Sequence, residues 1–287
     1  MAKTPRIMYD LTSNGKENAG KNNSRHFISI MSIRPILKAA APVPKIEEME
    51  RFLFLGPHPD DIEIGAGATA ARLAAEGKSV CFLICMDGRY GTDNWKDQET
   101  TPLQLAEMRK EEAMASAASI GVTDVRFLEL EDGGFYSREK LFRGIAACIA
   151  DFRPDVLFAP DPDVDCECHP DHRNVGEAAK TLALFSGNEG IMRKLGAEEA
   201  AVQALAFYMT AKPNRYMDTT GFLDSQLKAV FAHHRTQFPE KGKDARAITL
   251  YLKLRAYDYG IRSFRKTAEG FRVLGRTQMH CFPEGSR

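Results

Sequence analysis

No stretch of this 287-residue chain approaches the roughly 20 consecutive apolar residues that a membrane-crossing helix needs. A membrane is therefore not an expected partner. Charge of one sign is also missing: 39 Lys and Arg stand against 39 Asp and Glu. Without a positive field to gather phosphates, nucleic acid is not expected either. Cysteine is scarce, six in all, and Cys81, Cys85 and Cys148 lie inside apolar runs. They read as small buried hydrophobes, not as a disulfide framework, which fits a reducing, cytoplasmic location. What the chain does have is length and 44% hydrophobic residues, enough to bury one sizeable core in a single domain.

The N-terminal residues 1–38 are basic, and the apolar run over 27–33 is short and interrupted by serines. No small-residue cleavage site follows closely, so a secretory signal is not expected, and Met31 offers an alternative start. Residues 12–24 are rich in Asn, Gly, Ser and Lys, a composition that cannot bury a core. The expected organisation is a flexible arm over 1–45 and one domain over 46–287.

From residue 51 onward, continuous apolar runs alternate with helical patterns. Strands are expected over 51–55, 79–86, 124–130, 155–159 and 204–209. Helices are expected over 65–76, 103–120 and from the Ser137 cap to 152, then after Arg173 to 185, and over 219–234 and 245–259. Apolar strands without alternation suit a parallel sheet covered on both faces. Right-handed crossovers then give a Rossmann-like three-layer α/β/α sandwich with a mainly parallel sheet. In such folds ligands collect beyond the carboxyl ends of the strands.

Two short segments sit at such ends: His58-Pro59-Asp60-Asp61 after the first strand and His169-Pro170-Asp171-His172 after the fourth. Either alone reads as loop chemistry, with Asp capping a helix and Pro stiffening a turn. Two of them on one sheet can supply the three His and carboxylate ligands of a catalytic zinc site, with acid and base groups left over.

The segment Pro57-His58-Pro59-Asp60-Asp61-Ile62-Glu63-Ile64-Gly65 and the later His169-Pro170-Asp171-His172-Arg173 make the chain resemble the LmbE-like, or PIG-L-like, N-acetylglucosaminyl deacetylases. Met108-Arg109-Lys110-Glu111-Glu112 and Gly121-Val122 match that family's helix-and-turn region. Phe158-Ala159-Pro160-Asp161-Pro162, Lys212-Pro213-Asn214 and Arg235-Thr236-Gln237-Phe238-Pro239 resemble its diacetylchitobiose branch. The likeness runs from about Arg51 to Pro283.

The resemblance implies that His58, Asp61 and His172 hold Zn2+, that Asp60 is the general base, that His169 is the electrophilic partner and that Asp171 orients a histidine. It implies that Arg109 and Asp132 grip sugar hydroxyls. His280 would reach into a neighbouring subunit's site, in a homo-oligomer of trimers paired into hexamers. The expected reaction is removal of the acetyl group from N-acetylglucosamine units, in diacetylchitobiose or short chitin oligosaccharides. Zinc makes hydroxide available near neutral pH, Asp60 takes the proton, and an oxyanion is stabilised by the metal and His169. Two other readings are a deacetylase of a thiol-conjugated or lipid-linked glucosamine and a non-catalytic sugar-binding protein. Retention of Asp60 argues against the latter.

Gly65-Ala66-Gly67 lacks the third glycine of a dinucleotide fingerprint and follows acidic groups, so helix-to-sheet packing explains it better. Cys166-Glu167-Cys168 has no second pair at zinc spacing. Tyr90, Trp95, Phe135 and Tyr136 lie in loops where a sugar ring could stack, although ordinary packing explains them equally well. His233 and His234 read as structural, at a helix end.

Overall fold

The computed structural model describes residues 34–91, 99–239 and 243–281. Helix α1 (Arg34–Ala40) precedes the compact unit that begins at Ala41 and carries every described strand. Residues 41–45, expected in the arm, are tied into this unit: Gln278 Nε2 donates to the carbonyls of Ala41 and Pro42, and Arg215 donates to those of Val43 and Pro44. Most of the expected arm, and Trp95, lie outside the described residues.

In chain order the unit runs β1 (Arg51–Gly56), α2 (Asp61–Ala75), β2 (Ser79–Met86), α3 (Pro102–Ser119), β3 (Asp124–Leu130), α4 (Arg138–Phe152) and β4 (Val156–Pro160). It continues with α5 (Pro170–Phe185), α6 (Glu189–Lys194), β5 (Ala204–Tyr208), β6 (Arg215–Asp218), α7 (Leu223–Lys228), α8 (Lys243–Ser263), β7 (Ala268–Gly275) and α9 (Gln278–Cys281). The sheet order is β3-β2-β1-β4-β5-β7-β6. The first five strands are parallel, and β7 runs antiparallel to both β5 and β6.

The period-two geometry of a strand explains the layering. In β1, Leu53 and Leu55 face a core built with α4 and α5, while Phe52 and Phe54 face a second core built with α2 and the end of α3. Both faces are dry, so both sets of positions are apolar, as expected for a three-layer sandwich. From β1 the chain crosses to β2 on one side and β4 lies on the other, which opens a crevice at the carboxyl ends of β1 and β4.

Both chemistry-bearing motifs enter helices earlier than the sequence pattern suggests. Asp61 is the first residue of α2 and Pro170 the first of α5, whereas starts at 65 and after 173 were expected. The expected helix over 219–234 is shorter: α7 passes into one π turn over Ala229–His233. The π turn closes on His234, which is fully buried.

Candidate metal centre

His58 follows the tip of β1, and its ring is held from both sides. Nδ1 lies 3.1 Å from Asp61 Oδ2, and Nε2 lies 3.0 Å from Asp171 Oδ2. The Asp61 carboxylate also accepts from the His58 backbone N–H at 2.8 Å, closing the turn between strand and helix. On the other loop, His169 caps α5 by accepting the Asp171 N–H at its Nδ1, 3.3 Å away. One turn of that helix sets Asp171 facing the core and His172 facing the crevice, where its Nε2 stands 3.3 Å from Asp61 Oδ2. The two turns are 113 residues apart in the chain and meet through these contacts.

Two groups of three ligand-capable atoms, each group within 4.8 Å, result: His58, Asp61 and His172, and His58, His169 and Asp171. The first suits a small divalent ion. Ligand atoms about 2.0–2.1 Å from a tetrahedral zinc stand about 3.3 Å from one another, and the two measured edges to Asp61 are 3.1 and 3.3 Å. The second set is poorer because both Asp171 oxygens accept backbone N–H groups, of Gly133 and Gly134 at 2.7 and 2.9 Å, whereas in Asp61 only Oδ2 accepts one among the described residues. Asp171, with no exposed surface, stands instead behind His58, where accepting a hydrogen bond from Nε2–H would leave Nδ1 free to ligate.

The charges of the cluster point the same way. Burial works against a charged His58 ring, but the carboxylates of Asp171 and Asp61 overcome it and raise its pKa to about 10. For His172 burial is again opposed, by Asp61, and the pKa rises to about 9. Asp61 and Asp171, at the amino ends of two helices, thus favour the protonated forms of two imidazoles, positive charge of the kind that a divalent ion would bring in their place. His169 goes the other way: burial and the neighbouring imidazoles push its pKa down.

Asp60 belongs to neither ligand set. It caps α2 with φ of 126°, a backbone conformation that a non-glycine residue adopts only when its surroundings enforce it. Arg109 provides part of that enforcement. Its guanidinium, buried, donates to the carbonyls of Pro59 and Gly88 at 2.9 and 3.0 Å and approaches Asp60 Oδ1 at 3.5 Å. Burial first, and then the adjacent Asp61 charge, raise the Asp60 carboxyl to about 6 against the pull of Arg109.

Asp132, just past β3, accepts the Tyr90 N–H at one oxygen, while its Oδ1 is buried without a hydrogen-bond partner among the described residues. Tyr90 and Phe135 are exposed, their rings edge-to-face at 6.4 Å, whereas the Tyr136 hydroxyl accepts from Asn174 Nδ2. A groove of about 760 Å³ beside the centre is lined by Ile64, Glu167, Met209, Tyr251, Tyr259 and Arg262, among others.

His280 is not brought to this centre within the chain. It is exposed on α9 and lines a cavity with Phe185 and Asn188, at the far end of α5 from His169, about 20 Å of helix away. One residue that sequence reasoning missed joins the centre, and another lies behind it. His234, read as structural at a helix end, is buried 3.3 Å from Glu63 in the first turn of α2. Glu167, set aside with its flanking cysteines, reaches His172.

Residues 53–183 match the PIG-L family, described as GlcNAc-PI de-N-acetylase. A diacetylchitobiose deacetylase of Thermococcus kodakarensis is 33% identical over 239 residues, which cover 82% of this chain and 87% of the relative. The chain belongs to the PIG-L family. An N,N'-diacetylchitobiose deacetylase from Pyrococcus horikoshii shares the PIG-L fold over 93% of this chain and 98% of its own, with a TM-score of 0.75 and 29% identity. More distant is a 1D-myo-inositol 2-acetamido-2-deoxy-alpha-D-glucopyranoside deacetylase of Kineococcus radiotolerans, 28% identical over 61% of this chain and 55% of the relative. All three PIG-L relatives are deacetylases by name.

Proposed function

We propose that this protein is a zinc-dependent deacetylase of N-acetylglucosamine units, acting on diacetylchitobiose or short chitin oligosaccharides and releasing acetate. The observation that carries the reading is the meeting of His58, Asp61 and His172 around one ion-sized space, with the carboxylate of Asp60 beside it but outside the ligand set. The chitobiose substrate rests on likeness to the Thermococcus and Pyrococcus proteins, whose matches span most of the chain.

In this reading zinc, when bound, supplies Lewis acidity to water and to the amide carbonyl at neutral pH. The protein's own groups do the rest. Asp60, held in a strained turn above Arg109, takes the proton from the attacking water and returns it to the departing sugar amine. His169 accepts a backbone N–H at Nδ1, so its proton sits on Nε2, where it serves as a hydrogen-bond donor to the developing oxyanion. Asp132 Oδ1 takes a sugar hydroxyl. Arg109, expected at a sugar hydroxyl, first holds the main chain under Asp60. The 760 Å³ groove gives room for a second sugar ring.

Self-association belongs to the same proposal. What supports it is a row of apolar side chains on α8 and just past its end, Leu250, Leu254, Tyr257, Ile261 and Phe264, all exposed. Their 4-3-4-3 spacing marks one seam of a helix that wants a partner.

The test is release of acetate from diacetylchitobiose by zinc-loaded protein, with glucosamine conjugates of thiol and lipid type run alongside. Turnover confined to the conjugates would replace the chitin substrate, and no turnover of any N-acetylglucosamine compound would remove the proposal.

A further inference from the structure

We propose that Glu167 is a positioning residue of the metal centre, fixing the ring orientation and tautomer of His172. This rests on the proposed ligand set, in which His172 offers Nε2. A histidine ligates through a lone pair, so with Nε2 turned to the ion the ring proton must sit on Nδ1. Glu167 Oε2 lies 3.0 Å from that Nδ1, and its other oxygen, Oε1, accepts the backbone N–H of His169 at 2.8 Å. One carboxylate therefore ties together the ring of one crevice histidine and the main chain of the other.

The arrangement repeats on His172 what Asp171 does on His58: a carboxylate behind the ring, on the nitrogen opposite the one that faces Asp61. A carboxylate there is a stronger acceptor than water and makes the facing nitrogen more basic.

The loop that presents Glu167 is itself anchored. Arg272 on β7 holds Asp161 with Nε at 2.9 Å and also donates to Asp163 at 2.8 Å, while Thr210 Oγ1 donates to Asp161 at 2.6 Å. The Glu167 N–H closes a turn on Val164 O at 2.9 Å. The carboxylate thus approaches His172 from a fixed base, although a quarter of its own surface stays open.

The experiment compares wild type, E167A, E167Q and H172A by zinc affinity of the metal-free protein in chelator competition, alongside kcat and KM for acetate release. Glutamine keeps an oxygen that can accept from Nδ1, whereas alanine keeps none. The expected result is a loss of zinc affinity of about 10–100-fold in E167A, a fall in kcat with little change in KM, and recovery of most of both by E167Q. Unchanged zinc affinity in E167A would overturn the proposal, and so would an E167Q protein no better than E167A, because an acceptor at Nδ1 would then not be what holds the ring. If H172A itself binds zinc as wild type does, the ligand set fails, and the role of Glu167 fails with it for a distinguishable reason.

Discussion

Asp60 combines a carboxylate outside the ligand set with a backbone conformation that costs about 1–3 kcal/mol for a non-glycine residue. Strain of that size is maintained here by Arg109 and by the α2 turn that begins at the next residue. Replacing Asp60 with Ala is expected to lower kcat by about 10²–10⁴-fold while zinc content per chain, read by atomic absorption, stays at the wild-type level. Equal turnover would place the base elsewhere. For Asp132 the expectation differs, because its unpartnered oxygen is proposed to meet a hydroxyl of the sugar. Asp132→Ala should raise KM for diacetylchitobiose by about tenfold or more, with a smaller effect on kcat, measured by initial rates. At this scale the motif residues were legible because two His-Pro-Asp segments at strand ends have few other uses. Glu167 was not, since one acidic side chain between two cysteines carries no pattern. His234 is structural, as its place at a helix end suggests, but its partner was not legible: the π turn directs it inward to Glu63.

The elements show where periodicity speaks and where it falls silent. Strands β1 to β5 and helices α2 to α5 were readable from continuous apolar runs and helical patterns, with Ser137 as the cap of α4. Strand β7 was not, although all eight of its residues are buried. Glu269 and Arg272 interrupt its apolar pattern, and each is buried where its hydrogen bonds hold another element. Helix α2 is broken at Ala66, and Glu269 accepts the N–H groups of Ala68 and Thr69, at 3.3 and 2.7 Å, just beyond that break. Arg272 holds Asp161, as described above. The close approach of α2 to the sheet, anticipated from its glycines, is visible at Gly65, where an added Cβ would lie 2.2 Å from the ring of Tyr208. Gly65→Ala is expected to destabilise the fold by about 1–3 kcal/mol, lowering Tm by about 2–4 °C for each kcal/mol. Gly190→Ala in α6, where the nearest neighbour of such a carbon is 3.5 Å away, is the matched control. A melting scan showing equal Tm for the two variants would mean that α2 and β5 do not pack as described.

At the scale of the whole molecule, the sheet order creates the crevice and the two motifs fill it, so the site depends on β1 and β4 being neighbours. No helix among the described residues is long and apolar enough to cross a membrane. The α8 row remains to be accounted for. Six of the twelve exposed large hydrophobic side chains among the described residues lie between Leu250 and Phe264. Sedimentation velocity is expected to show an oligomer, and the paired change Leu254→Asp with Ile261→Asp to shift it toward monomer. A monomeric wild-type protein would leave both the seam and His280 without the task proposed for them. The metal is the most direct test. Crystals grown with zinc and measured on both sides of its absorption edge should give one strong anomalous peak per chain, bounded by His58, Asp61 and His172. A peak seated instead on Cys166 and Cys168, or none at all in protein that releases acetate, would contradict the account.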